Sequence, residues 1–222
     1  MDPSFLPWQP NDDTDRDLIA CLNFGGEMHL YASGFEHGAE ALYKVLQEQR
    51  HGQDLLVYPF VYCLRHAIEL ALKQVIRSGR RLFDEEPVFP YLHDLFKLWN
   101  ICAPLLKRIW PDSGNESQYF IVENTIRSFR LIDPLGEGFR YPEAKDKRAT
   151  LHPDLSYLDL GKMFEEVKVT LNLLMGADTG IDFYMDAKND MEAEYRQIDA
   201  EMRAEYERDY GYDAGEDQRD EW

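Results

Sequence analysis

Apolar residues recur at intervals of three and four along most of this 222-residue chain, and this period constrains the fold more than any other feature. Such spacing places apolar side chains on one face of an α-helix, whereas a half-buried strand would alternate every second residue. Five segments show the pattern: about 27–50, 54–78, 93–109, 113–132 and 160 onward. The sequence therefore predicts an all-α fold.

Short polar and glycine-containing motifs predict where these helices begin and end. Ser78 and Gly79, followed by two arginines, are typical of a helix stop. Ser113 with Glu116 three residues later is typical of a capping box at the start of the fourth helix. The turn signals in residues 176–180 predict a hinge or a helix end.

The link between the fourth and fifth helices, residues 133–158, departs from the helical period. It opens with the turn sequence Asp-Pro-Leu-Gly, residues 138–142 have extended character, and Pro153 disfavours helix at His152. An irregular link of about 25 residues is long for a compact helical domain, and such links are usually functional or disordered.

Charge divides the chain unevenly. The whole chain has 24 Lys+Arg and 42 Asp+Glu, a formal net charge of −18, and residues 182–222 alone hold fifteen acidic and five basic residues. We therefore divide it into an N-terminal arm (1–26), a helical bundle (27–181) and an acidic helical tail (182–222) that is disordered at its end. This acidic balance argues against a broad basic face for nucleic acid.

Membrane insertion and secretion are not indicated by the sequence. The N-terminus lacks a positive region followed by an apolar run. The most apolar stretch, residues 55–76, is interrupted by Arg65, His66, Glu69 and Lys73, so we expect no membrane span.

Cysteine and metal-ligand patterns predict a cytoplasmic protein without cofactors. Cys21, Cys63 and Cys102 are odd in number and far apart, which is unlike a disulfide framework or a zinc site. A di-metal helical bundle needs Glu-x-x-His twice, and the chain has it once, at Glu48 and His51. A phosphate-binding P-loop and a dinucleotide glycine pattern are absent from the sequence.

The densest polar pattern lies in the second predicted helix. Arg65, Glu69 and Lys73 fall at i, i+4 and i+8 and form one row, with His66 beside it. The row is either a solvated stripe or a buried network. Because the helix is apolar nearly all round, we expect a structural polar network that faces inward or into a shared cleft.

The run FVYCLRHAIELALKQVI, followed by YLHDLFKLW and DPLGEGFRYPEAKDK, resembles uncharacterised prokaryotic helical proteins related to the HEPN superfamily. The resemblance covers about residues 28–176. It implies an antiparallel four- or five-helix bundle, a homodimer, and a place in a defence or toxin–antitoxin system. Known HEPN proteins include metal-independent ribonucleases, toxins, phage-defence components and members that only bind or scaffold.

One HEPN motif is not matched. HEPN ribonucleases have an Arg and a His separated by four to six residues, whereas here Arg65 and His66 are adjacent and three residues separate Arg148 from His152. The resemblance therefore favours a binding module over the standard ribonuclease. The alternative is a metal-independent endoribonuclease whose motif differs from the standard HEPN pattern. Its catalytic candidates are Arg65, His66, Arg140 and His152.

A basic island follows the fourth helix, around Phe139-Arg140-Tyr141. A guanidinium fork with an aromatic neighbour is typical of phosphate binding, so we expect RNA or a nucleotide as the ligand. The alternative is that Arg140 pairs with a helix carboxylate such as Glu69, while Phe139 and Tyr141 seal the bundle. The candidate ligand-binding residues are Arg127, Arg130, Arg140, Tyr141, Lys145, Lys147 and Arg148.

The acidic tail has its own helical pattern over residues 186–209. An apolar stripe recurs at spacings of four, three, four and four: Met191, Tyr195, Ile198, Met202 and Tyr206. Glu192 with Arg196, and Asp199 with Arg203, form i, i+4 pairs on its flanks. We expect a helix outside the bundle that seeks a basic surface, either the island of its own chain or a partner protein. A third hypothesis is thus a non-catalytic interaction module, and a merely solubilising helix is its alternative.

Overall fold

The computed structural model describes residues 17, 20, 28–49, 51–134, 136–144, 146–147 and 149–210. Over these residues the fold is an all-α bundle, as the helical period predicts, and no strand is present. The helices are α1 (Met28–Gln49), α2 (Gln53–Leu82), α3 (Leu95–Ile109), α4 (Glu116–Ile132) and α5 (Leu160–Tyr210). The predicted N-terminal arm, Lys145, Arg148 and residues 211–222 lie outside this part of the chain.

Helix α2 is the centre of the bundle. It packs against α1, α3 and α5, and its buried side includes Phe60, Leu64, Ile68, Leu72 and Ile76, none of which is exposed. Among the described helices it alone has the length and apolar composition of a membrane-spanning segment, and half of that window is buried in the bundle. A core helix of a soluble protein meets the same criteria.

The segment between α2 and α3, residues 83–94, runs back along α2. Arg80 Nη1 donates to the Val88 carbonyl, and Lys73 lies 5.6 Å from the Phe89 ring. The chain thus approaches the middle of α2 again before α3 begins. Because of this return, α3 runs parallel to α2, with Gly79 packed against Ile109.

Two predicted helix breaks are wrong. Helix α2 continues through Ser78 to Leu82, because Ser78 Oγ donates to Asp178 Oδ1 of α5 at 2.7 Å instead of terminating the helix. Helix α5 continues through residues 176–180 without a hinge. A Cβ on Gly180 would lie only 3.0 Å from Trp110 Cζ2, so this glycine makes room for a tryptophan.

Two further local predictions also differ from the structure. Ser113 does not cap α4; its Oγ donates to the Trp110 carbonyl at 2.9 Å, and Asn115 precedes the helix. The link has no helix among its described residues, but residues 138–142 include a turn where an extended segment was predicted. The amides of Arg140 and Tyr141 both donate to the Glu137 carbonyl there.

The acidic tail is the C-terminal part of α5, so it is not an additional helix. Lys188 makes its last ion pair with the bundle, donating to Asp84 Oδ2 at 2.6 Å. From residue 189 to residue 209 every side chain is exposed. The boundary placed between residues 181 and 182 therefore falls inside one continuous helix.

Candidate functional site

The candidate site is built around a buried carboxylate on α2, Glu69, which is 2 % exposed. Three donors bind it: Lys73 Nζ at 2.8 Å, His93 Nδ1 at 2.9 Å and Arg65 Nη1 at 3.3 Å. His66 Nδ1 lies 4.0 Å from Glu69 Oε2. We call these five residues the Glu69 cluster.

Helical spacing and the returning segment together assemble the Glu69 cluster. Arg65 and Lys73 are one turn before and one turn after Glu69, so all three project from the same side of α2. His93 reaches the same carboxylate because residues 83–94 return along α2, and its carbonyl accepts from Arg65 Nη2 at 2.5 Å. Asp94 then caps α3 by accepting from the amides of residues 96 and 97, which fixes the position of His93.

Glu69 is held in its ionised form. Burial alone raises the pKa of a carboxyl group, but hydrogen bonds from Lys73 and His93 and the positive charges of Lys73 and Arg65 outweigh that effect. The pKa of Glu69 is therefore below its usual value. With Arg65 and Lys73 positive and Glu69 negative, the interior of the cluster has an excess of one positive charge.

His66 lies at the edge of the cluster, with its side chain 24 % exposed. Its ring meets the Phe35 ring edge-on at 4.4 Å and stacks on Tyr62 at 5.5 Å between centroids. These contacts fix the imidazole between α1 and α2.

The environment keeps the His66 imidazole neutral. Burial is the largest influence and lowers the pKa of His66; Glu69 raises it, while Lys73, Arg65 and Arg140 lower it further. The net pKa is below the ordinary value for histidine. The loop cation Arg140 lies near this ring, because both Arg140 and His66 contact the Tyr62 ring.

Arg140 is exposed and lies between two aromatic rings. Its guanidinium carbon is 5.6 Å from the centroid of Tyr141 and 5.7 Å from that of Tyr62, and its Nη2 donates to the Gly136 carbonyl at 2.9 Å. Within the described part of the chain it forms no ion pair with a carboxylate. The alternative in which Arg140 pairs with Glu69 therefore does not describe this structure. Phe139 is buried, as that alternative expected, whereas Tyr141 is 55 % exposed.

Gly136 joins the loop to the Glu69 cluster. Its φ is +70°, a left-handed conformation that favours glycine, and a Cβ there would clash with the Arg65 guanidinium. Asp133 stabilises the same turn, because its Oδ1 accepts from the amides of Glu137 and Gly138 at 3.0 Å each. The loop backbone thus packs directly on the Arg65 guanidinium and carries Arg140 beside the cluster.

The other predicted ligand residues are not gathered around Arg140. Arg127 binds Glu123 on its own helix at 2.5 Å, and the Arg127 and Arg130 guanidinium groups lie 5.2 and 4.8 Å from the Phe96 ring. Arg130 does line a small cleft with Arg65. Lys147 is exposed in its own loop.

His152, a predicted catalytic candidate, is also engaged elsewhere. Its amide donates to the Ile132 carbonyl at 3.0 Å, and its Nδ1 accepts from the Asp154 amide at 3.2 Å. These contacts tie His152 to the end of α4 and to its own loop, so the structure gives it no contact with the Glu69 cluster.

His93 is the site residue that sequence reasoning missed. The sequence places it only at the start of a helix, beside the cap Asp94, and nothing local indicates a contact 24 residues back along the chain. Its side chain is 73 % exposed although Nδ1 is bound to a buried carboxylate. Because an ionised carboxylate can only accept, the Nδ1 that contacts Glu69 carries a proton, and in the neutral ring Nε2 is the acceptor.

The described residues do not contain a group of three or more His, Cys, Asp or Glu side chains that could hold a metal ion. The groups that could act chemically are the exposed Arg140 guanidinium, which can bind an anion, and the imidazoles of the cluster, which can transfer a proton. No family model, curated protein or solved structure matches this chain, so the HEPN resemblance rests on the sequence motifs alone.

Proposed function

We propose that this protein is a HEPN-like helical binding module for RNA or a nucleotide, acting in a prokaryotic defence or toxin–antitoxin system. The observation that carries the proposal is Arg140: an exposed guanidinium between two tyrosine rings, without a carboxylate partner among the described residues. In a chain of net charge −18, an exposed arginine has many carboxylates available to it. One that remains unpaired in a preformed turn is suited to bind an external anion.

The neighbouring groups fit a phosphate-containing ligand. A guanidinium binds two phosphate oxygens at once, and tyrosine faces provide surfaces on which a base can stack. The positive excess of the Glu69 cluster adds attraction for an anion close to Arg140. Arg65 acts indirectly, because it supports the Gly136 backbone that in turn accepts from Arg140.

The Glu69–His93 pair favours a second candidate function, a metal-independent endoribonuclease. A carboxylate that fixes one imidazole nitrogen leaves the other as a proton acceptor, which is the arrangement of a general base. His93 Nε2 would take the proton of a ribose 2′-hydroxyl, whose oxygen attacks the adjacent phosphorus. The 5′ oxygen leaves and takes up a proton from water, while Arg140 binds the phosphate.

Binding can be tested on the full chain with a fluorescein-labelled 12-nucleotide single-stranded RNA, followed by fluorescence anisotropy over a range of salt. We expect Arg140→Ala to weaken binding about tenfold and to reduce the salt slope by about 0.7, the change for one lost phosphate contact. Arg108→Ala is the matched control, since Arg108 is also exposed and lies 3.6 Å from an aromatic ring, that of Phe83. Equal affinity of the Arg140 variant and the native chain would contradict the proposal. Calorimetry with ATP, using the same two variants, distinguishes a nucleotide from RNA.

Catalysis can be tested by incubating the chain with total RNA in the presence of a chelator. If the second candidate is correct, His93→Ala abolishes cleavage, whereas His37→Ala, a change of an exposed histidine on α1, retains it. Circular dichroism melts verify that the His93 variant is folded. If the native chain does not cleave RNA, the endoribonuclease hypothesis is rejected and the binding-module hypothesis stands.

A further inference from the structure

The exposed part of α5 presents an apolar surface that the bundle does not use. We call it the tail stripe. Its members are between 44 % and 69 % exposed: Met191, Tyr195, Ile198 and Met202. They lie beyond Lys188, which makes the last ion pair with the bundle, so the stripe is not packed on the Arg140 turn of its own chain.

The spacing of the tail stripe is that of a coiled-coil seam. Met191, Tyr195, Ile198 and Met202 are separated by four, three and four residues, which places them at alternating d and a positions of a heptad. A side chain at such a position inserts between four residues of a facing helix. The stripe is therefore shaped to receive one helix that lies alongside it.

Acidic side chains border the seam on both sides. Glu194 and Glu201 occupy the g positions along one edge, and Glu192 and Asp199 occupy the e positions along the other. Arg196 and Arg203 do not change this pattern, because they occupy b positions, farther from the seam. Arg203 bonds Asp199 Oδ2 at 2.9 Å from that position.

These charges disfavour pairing of the stripe with a second copy of itself. In a parallel pair g positions face e positions, and in an antiparallel pair g faces g and e faces e. Either arrangement would place carboxylates opposite carboxylates, which is destabilising. A helix with basic residues at the corresponding positions would instead form favourable pairs along both edges.

We propose that the tail stripe binds a basic amphipathic helix of a partner protein, with apolar residues at its a and d positions and Lys or Arg at e and g. This surface is independent of the Arg140 site, since it lies on the part of α5 outside the bundle. The partner is recognised by apolar contact along the seam and by charge complementarity along the edges.

The test uses the full chain and three synthetic 28-residue peptides, with binding followed by calorimetry. The first has Leu or Ile at a and d and Lys at e and g, the second has Glu at e and g, and the third scrambles the order of the first. We expect the basic heptad peptide to bind at least tenfold more tightly than either control, and its affinity to fall with added salt.

Two variants separate the seam from its edges. Ile198→Asp should lose at least tenfold in affinity for the basic peptide, whereas Ala200→Asp, the same added charge on the opposite face, should not. Glu194→Lys with Glu201→Lys should shift the preference toward the acidic peptide. Both changes are on exposed helix surface, so neither is expected to disturb the bundle.

Three results would overturn the proposal. The first is equal binding, or no binding, of the basic heptad and scrambled peptides. The second is native affinity in Ile198→Asp. The third is a dimer at neutral pH, seen by light scattering, that Ile198→Asp converts to a monomer, because the stripe would then bind a second copy. A dimer that persists in this variant forms through the bundle, as the HEPN resemblance implies, and leaves the stripe available for its partner.

Discussion

Two ion pairs with the same helical spacing lie in opposite environments of this molecule. In α2, Glu69 and Lys73 are 2.8 Å apart and 2 % and 7 % exposed; in α5, Asp199 and Arg203 are 2.9 Å apart and 55 % and 77 % exposed. Sequence spacing fixes the geometry of both pairs equally well. The surroundings decide what each pair contributes to stability.

The two ion pairs differ in how the remaining charge is solvated when one partner is removed. At Asp199, water solvates whichever charge remains, so an exposed pair contributes at most about 1 kcal/mol. Glu69 is only 2 % exposed, so water has little access to replace its carboxylate, and Arg65 and Lys73 would remain as buried like charges. The comparison therefore predicts a large and a small effect from similar substitutions.

The largest effect is expected at the buried pair. Glu69→Gln should lower the free energy of unfolding by about 3–5 kcal/mol, measured by urea denaturation, because it leaves two buried cations without a counter-charge. Asp199→Asn, its matched control, should change it by less than about 0.5 kcal/mol. A loss below about 1 kcal/mol for Glu69→Gln would mean that the buried row behaves like the exposed one.

A substitution in the loop that packs on the Glu69 cluster should lower the free energy of unfolding by nearly as much. Gly136→Ala should destabilise the chain by about 2–4 kcal/mol, since it combines a left-handed φ with a clash against Arg65. Gly52→Ala serves as the control, because Gly52 has a φ of +85° but open space around its Cα, and it should lose only about 1 kcal/mol. Similar losses for both variants would show that the loop does not depend on its contact with Arg65.

Acid should destabilise the buried cluster, because the pKa values of His66 and Glu69 are both shifted there. Because the folded-state pKa of His66 is lowered, the unfolded chain binds more protons, and the free energy of unfolding should fall as the pH decreases below about 6.5. The lowered pKa of Glu69 extends the loss below about 4.5. Urea denaturation at a series of pH values should show that His66→Asn flattens the first part of this dependence. The control variant His37→Asn, which changes an exposed histidine, should retain the pH dependence of the native chain. An unchanged pH profile in His66→Asn would contradict the conclusion that His66 causes this part of the dependence.

The smallest effect is expected from removal of the tail. Truncation after Asn189 should change the free energy of unfolding by less than about 0.5 kcal/mol, because every described side chain beyond it, up to residue 209, is exposed. Truncation after Gly180 should destabilise clearly, since it also removes Ile181, which is fully buried, and the ion pair between Lys188 and Asp84. Equal stability of the two truncated chains would place the end of the bundle earlier than the structure does.

The helical period was sufficient to predict the class of fold, because each helix needs only its own sequence to define an apolar face. It failed where a residue is chosen for contact with another helix. Ser78, Gly79 and Gly180 are typical helix breakers. In this structure Ser78 donates a hydrogen bond to Asp178, and the two glycines make room for the side chains of Ile109 and Trp110. Such contacts join positions far apart in the chain, so no local pattern distinguishes them from a true break.

The same limit applies to the candidate site. Arg65, Glu69 and Lys73 could be grouped from the sequence because one helix carries them all. His93 could not, since its place depends on the return of residues 83–94 along α2. Arg140 could be singled out by its basic and aromatic neighbours, but the turn that carries it depends on Gly136 and the Asp133 side chain.

The continuity of α5 gives the tail a mechanical relation to the bundle. Leu174 is buried in the core, and Tyr206 lies 32 residues farther along the same helix, a distance of about 48 Å at 1.5 Å per residue. A tilt of about 5° around Leu174 would displace Tyr206 by about 4 Å. Small changes in the packing of α5 against α2 would therefore become larger displacements of any partner bound to the tail. Displacements of this size can be measured by distance-dependent fluorescence transfer.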